Sequence, residues 1–198
     1  MKYGFIFECH LDGPDYKVVK HIVENWMSQK IQFEPVTPGD KGALLEQCAD
    51  SVEMLLRTKC DKVIIVWDLM PKFTNCNCIV EERNLIRQQL IDKNISLDKV
   101  EFIGIVHELE SWLIADVSAL ERVLSTTAHP VKISKIQNPD REPNPKGKLR
   151  KIFKEKRGLD YSDLDYALKI IQNVQRPKDL KKSESFKRFY YKLTGTQL

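Results

Sequence analysis

The stretch Lys62-Val63-Ile64-Ile65-Val66-Trp67-Asp68 decides the fold. A continuous β-branched run of this kind fits a strand buried on both faces of a parallel sheet, and it stops abruptly on an acid, Asp68. Toward the amino terminus, Leu44, Leu45, Cys48, Val52, Leu55 and Leu56 recur at helical spacing behind the loop Pro38-Gly39-Asp40-Lys41-Gly42. Before that loop, Ile31 to Val36 reads as a strand. Val18, Ile22, Val23 and Trp26 read as a helix after Pro14, and Tyr3 to Phe7 as the first strand. Toward the carboxyl terminus, a polar loop from Leu69 to Cys78 leads into a helix carrying Ile79, Leu85, Ile86 and Leu90, and Val100 to Val106 supplies another strand. Strands alternating with helices predict an α/β fold: an open, mostly parallel, Rossmann-like sheet flanked by helices and joined by right-handed crossovers.

Beyond Leu124 the pattern changes, because Pro130, Pro139, Pro143 and Pro145 fall in one polar, loop-rich stretch. Two helices are expected to follow, one striped by Leu164, Ala167, Leu168, Ile171 and Val174, the other by Phe186, Phe189, Tyr190 and Leu193, both packing back on the sheet. A chain of 198 residues suits one domain with a small appendage. The division expected is an α/β core over 1–124 and a basic loop and helical region over 125–198.

The net charge of +4 conceals an asymmetry: up to Val131 there are 14 basic and 20 acidic residues, and beyond it 18 basic and 8 acidic. Such a balance predicts an acidic, cation-attracting centre beside a basic surface for phosphates, with an ordinary solvated surface as the plain alternative. No apolar stretch approaches the roughly 20 residues of a membrane helix, and the start has no signal-peptide layout, so a cytoplasmic protein is expected. Cys9, Cys48, Cys60, Cys76 and Cys78 are odd in number and form no C-x-x-C pair, which reads as reduced thiols rather than disulfides or zinc.

In open α/β sheets ligands gather beyond the carboxyl ends of the strands. Here those ends carry acids: Glu8 after the first strand, Asp68 after the central run, and Glu108 after Phe102-Ile103-Gly104-Ile105-Val106-His107. Singly, each has a plain alternative as a solvated loop residue, a cap or a helix-dipole partner. Jointly they suggest a site, because converging carboxylates repel unless protonated or neutralised, and a hard divalent cation with oxygen ligands neutralises them. In His107-Glu108-Leu109-Glu110-Ser111-Trp112-Leu113-Ile114-Ala115-Asp116 a strand is expected to run straight into a helix. Glu108 and Glu110 then share one metal only if Glu108 still belongs to the strand end. His107 reads as a local hydrogen-bond partner, Ser111 lacks a base for nucleophilic work, and Trp112 reads as core.

That same string resembles the signature of the bacterial domain-of-unknown-function family 4276. Asn144-Pro145-Lys146-Gly147-Lys148-Leu149 and Ser185-Phe186-Lys187-Arg188-Phe189-Tyr190-Tyr191-Lys192-Leu193 resemble its later motifs, so the similarity covers nearly the whole chain. The family resembles the Toprim-fold group, related to the nuclease domains of overcoming-lysogenization-defect proteins. Two departures stand out: Cys9 replaces the glycine of the usual Glu-Gly, and Asp68-Leu69-Met70 lacks the second aspartate of Asp-x-Asp, leaving Glu108, Glu110 or Asp116 to complete the site.

The resemblance implies Mg²⁺-assisted cleavage of DNA or RNA phosphodiesters, with Mn²⁺ fitting the same oxygen chemistry. Glu8, Asp68 and Glu108 are the expected catalytic acids, and Glu8, Asp68, Glu108, Glu110 and Asp116 the expected metal ligands. Lys146, Lys148, Arg150 and Lys151 are expected on substrate phosphates. The resemblance also implies an ATPase partner in defence against foreign DNA, supplied by another chain, since no Gly-x-x-x-x-Gly-Lys-Ser/Thr loop is present. The alternative is a regulatory subunit that binds nucleic acid or a partner and cleaves nothing.

Overall fold

The Val63 to Trp67 run does become a strand with almost no exposure to water, at most 1% for any of its residues. A computed structural model describes residues 1–27 and 29–198 of the protein, and the chain packs into two units, Met1–Ile105 and Val106–Leu198. The first unit alternates β1 (Lys2–Phe7), α1 (Pro14–Trp26), β2 (Gln32–Val36), α2 (Lys41–Arg57), β3 (Lys62–Asp68), α3 (Ile79–Asp92) and β4 (Val100–Ile105). The strands form one four-stranded, all-parallel sheet in the order β2-β1-β3-β4. The expected α/β open parallel sheet is therefore what forms.

Alternation along the strands sorts the core into two faces. Ile6, Val63, Ile65 and Trp67 join Leu44, Cys48, Val52 and Leu55 of α2 and Ile86 and Leu90 of α3 in one apolar cluster. Two glycines permit the close approach of helix to sheet: a Cβ on Gly4 would lie 2.8 Å from Leu55, and one on Gly104 would lie 2.2 Å from Ile79. On the opposite face Phe5 stacks on Phe33 at 4.3 Å between ring centroids, and Phe7 meets Tyr16 of α1 edge-on at 6.0 Å. Of these rings Phe5 and Phe7 are fully buried, and each contributes about 1.5–3 kcal/mol relative to exposure.

The sheet order has a consequence for ligands. From β1 the chain goes to β2 on one side and then returns to β3 on the other, so the connections diverge at the carboxyl ends of β1 and β3. In open α/β sheets that divergence is where a crevice opens.

The second unit is helical: α4 (Glu110–Leu113), α5 (Val117–Leu124), α6 (Pro145–Arg157), α7 (Asp163–Gln172) and α8 (Glu184–Thr194), with short 3-10 turns at Pro139–Arg141 and Pro177–Leu180. Its core gathers on Trp112, whose ring lies 5.3 Å from Phe186 and 5.0 Å from Phe189 and whose Nε1–H donates to Ser185 Oγ at 2.8 Å.

Several expectations are corrected. β4 ends at Ile105, so Glu108 is not at a strand end. A turn intervenes in which His107 takes φ 66°. The helix expected in this string is one turn, Glu110–Leu113, and the Asp116 side chain accepts the Ser118 N–H and starts a second helix, α5. Three helices, not two, follow the proline-rich stretch, since Asn144 caps α6 through the Gly147 N–H and Pro145 suits its first turn. Leu164, expected on a buried stripe, is 62% exposed. Within the second unit α4 and α5 pack on α6 and α7. No helix among the described residues is long and apolar enough to cross a membrane.

Candidate functional site

Glu8 and Asp68 meet at the carboxyl ends of β1 and β3. These strands pair in parallel with Phe7 opposite Val66, so the residue leaving β1 arrives beside the end of β3. There the Asp68 N–H donates to Glu8 Oε1 at 3.1 Å. Glu8 Oε2 is buried and has no hydrogen-bond partner among the described residues. Leaving a carboxylate oxygen dry costs free energy unless something positive or protonated answers it.

Below the pair lies a buried ion pair that the sequence pattern did not single out. Lys41, at the start of α2, directs Nζ to the carbonyl oxygens of Asp68 at 2.6 Å and Leu69 at 2.9 Å and to Glu82 Oε1 at 3.0 Å. Glu82, on α3, has no exposure and also accepts the Trp67 indole N–H at 2.9 Å and the Phe73 N–H at 2.7 Å. The ammonium group stands 4.7 Å from the centre of the Phe73 ring. One cation thus clamps the end of β3 to two helices and fixes the backbone that carries Asp68.

Electrostatics follow from this burial. Removal from water is the main cause that pushes the Glu8 carboxyl up to about 8, and the negative charges of Asp15 and Glu82 add to it. Lys41 and the Asp68 N–H pull the other way. Burial, with Asp15 beside it, likewise pushes the Cys9 thiol up to about 12, so Cys9 is a thiol and not a nucleophilic thiolate near neutrality.

The expected acids beyond β4 belong to the second unit and have partners there. Glu108 Oε2 accepts the Lys146 N–H at 3.2 Å, at the amino end of α6, where a helix favours negative charge. Glu110 is 4% exposed and Oε1 accepts the Tyr161 hydroxyl at 3.1 Å. Asp116 caps α5 and receives Arg122 at 3.3 Å; burial raises its pKa against those contacts. Lys146 Nζ is bound to Asp163. Burial works against its charge, but that hydrogen bond and the negative charges of Glu110, Asp163 and Glu108 prevail and raise its pKa. Lys148 and Lys151 have surface partners in Glu142 and Glu155, and Arg150 is exposed on the same helix.

No three His, Cys, Asp or Glu side chains among the described residues are gathered as a ready metal cluster. Glu8 and Asp68 still fit a hard cation by donor chemistry: both are carboxylates, and one oxygen is buried without a partner. Mg²⁺ keeps several waters and commonly needs only one or two protein carboxylates. Of the two residues of the buried ion pair, Glu82 leaves a signal in the sequence. Ile79, Glu82, Ile86 and Leu90 fall on one helical stripe, so an acid occupies a core position. Lys41 leaves none, because a lysine opening a helix is ordinarily solvated.

No curated protein and no solved structure matches the chain. A family model does: that of the domain of unknown function DUF4276 aligns with residues 13–194, beginning beyond Glu8 and spanning most of both units, and the chain therefore belongs to the DUF4276 family.

Proposed function

We propose that the protein is a divalent-metal-dependent nuclease that hydrolyses phosphodiesters of DNA or RNA at the carboxyl ends of β1 and β3. One observation carries the reading: Glu8 and Asp68 lie side by side where the strand connections diverge, and Glu8 Oε2 is buried with no partner among the described residues. Glu8 and Asp68 would hold Mg²⁺, or Mn²⁺ in its place, through oxygen atoms alone. A cation so held polarises phosphate oxygens and offsets charge on the attacking or leaving oxygen. Lys41 holds the Asp68 and Leu69 carbonyl oxygens in place, so the end of β3 is preorganised. The resemblance to Toprim nucleases supports the same chemistry. Lys148, Arg150 and Lys151, on α6 of the second unit, suit phosphate contacts: Lys148 and Lys151 have only solvent-exposed pairs, and Arg150 is exposed with no ion pair among the described residues. Glu108, Glu110 and Asp116 have contacts within their own unit, and the proposal rests on Glu8 and Asp68.

The rival reading, a nucleic-acid-binding subunit that cleaves nothing, draws on Lys41, which already supplies a buried cation beside the end of β3. Cleavage of labelled DNA and RNA with Mg²⁺ or Mn²⁺, beside calorimetric titration of Mn²⁺, separates the two. Glu8→Gln and Asp68→Asn should each abolish most cleavage and weaken Mn²⁺ binding while leaving the fold intact. Mn²⁺ binding and cleavage that persist in both variants would reject the site. Nucleic-acid binding by wild-type protein with no cleavage under any metal would favour the rival.

A further inference from the structure

A cavity of about 340 Å³ opens in the second unit between the amino end of α5 and the segment from Gln175 to Lys182. Its charged lining is one-sided: Arg122, Lys135, Arg176, Lys178, Lys181 and Lys182 face only Asp116 and Asp179. Both acids are already matched. Asp116 receives the Ser118 N–H at 3.0 Å and Arg122 at 3.3 Å, and Asp179 receives Arg176 at 3.0 Å. Among the described residues no carboxylate pairs with Lys135, Lys178 or Lys181. Lys182 donates to the Ile136 carbonyl at 3.1 Å, which leaves its charge unbalanced.

Four ammonium groups around one concavity repel one another, and concave walls focus their field on the space between them. An anion placed there removes the repulsion and accepts several charge-assisted hydrogen bonds at once. The cavity lies within the usual range of small-ligand sites, roughly 300–1,000 Å³. None of its lining residues is aromatic, so nothing in it stacks a base, and a phosphate group is the chemistry it recognises. We propose that this cavity is a phosphate-binding site for a nucleic-acid strand or a small polyphosphate, served by Lys135, Lys178, Lys181 and Lys182. It stands independently of Glu8 and Asp68, because it predicts binding and not cleavage.

The test uses the full chain and two probes, inorganic triphosphate by calorimetry and a fluorescent single-stranded oligonucleotide by anisotropy. Lys178→Gln/Lys181→Gln alters two exposed side chains, Lys135→Gln a third from another segment, and Lys59→Gln/Lys99→Gln removes two exposed charges from the first unit as a matched control. The double cavity variant should weaken triphosphate about tenfold or more, Lys135→Gln should weaken it in the same direction, and the control should leave it within about twofold. If triphosphate displaces the oligonucleotide and both weaken together, the site takes strand phosphates. If only triphosphate weakens, it takes a small polyphosphate. Absence of triphosphate binding at about 1 mM, or equal losses in cavity and control variants, would overturn the proposal.

Discussion

Glu82 and Lys41 set the energetic stakes at the scale of single residues. Glu82 is fully buried, Lys41 is 8% exposed, and the carboxylate answers the ammonium, an indole N–H and a backbone N–H at once. Two desolvated charges recover their cost only with all partners present, so removing one is worse than removing both. Lys41→Met should lower stability by about 3–5 kcal/mol, read as a drop in the urea midpoint. Lys41→Met/Glu82→Gln should recover part of that loss, because no charge is left buried while the amide oxygen still accepts one of the two N–H groups. A double variant weaker than Lys41→Met would mean that the carboxylate is stabilised by the N–H donors alone. Glu8 was legible as an acid after a strand, but not as a carboxyl pushed up to about 8, since that follows from burial and from Asp15 across the loop.

Elements are joined by close approaches and by single anchoring side chains. Gly104 lets α3 sit down on β4, where a Cβ would meet Ile79 at 2.2 Å and Trp67 at 3.1 Å. Gly104→Ala should therefore cost about 1–3 kcal/mol by overpacking, and Ile79→Ala in the same chain should relieve part of it, so the two losses should not add in thermal melts. Glu121 of α5 anchors the proline-rich stretch: its Oε1 accepts the Ile133 N–H at 2.8 Å, which, with Lys132, holds the carboxyl below its ordinary value. A depressed folded value means stabilisation that is present at neutral pH and lost as pH falls through that value. Glu121→Gln should lower the urea midpoint at pH ~7 and flatten its acid limb, so that the gap to wild type closes at low pH. A gap that stays constant with pH would assign the effect to packing.

Charge is distributed unequally over the whole molecule. Met1–Ile105 holds 13 basic and 16 acidic residues, and Val106–Leu198 holds 19 and 12, so the basic surplus belongs to the helical unit. Nucleic-acid binding through that surplus should weaken steeply with salt by counterion release. Lys148→Gln/Arg150→Gln/Lys151→Gln should reduce the slope of log K against log salt by about three, roughly one for each phosphate that a side chain no longer neutralises. An unchanged slope would remove α6 from the interface.

The alternation of strand and helix was determined by the sequence alone, because it depends on local side-chain periods: the β-branched run before Asp68, the stripe from Leu44 to Leu56, and the apolar strand from Val100. The acids at the ends of β1 and β3 were legible for the same reason, since a strand that stops on a charge announces its edge. What the period does not encode is which strand lies beside which, and that order decides that Glu8 and Asp68 meet where the connections diverge. Tertiary packing also made Lys41 and Glu82 a buried pair across 41 positions of sequence, and closed Glu108, Glu110 and Asp116 into contacts within the helical unit. Burial and pairing between distant segments depend on the folded packing, so no window of sequence contains them.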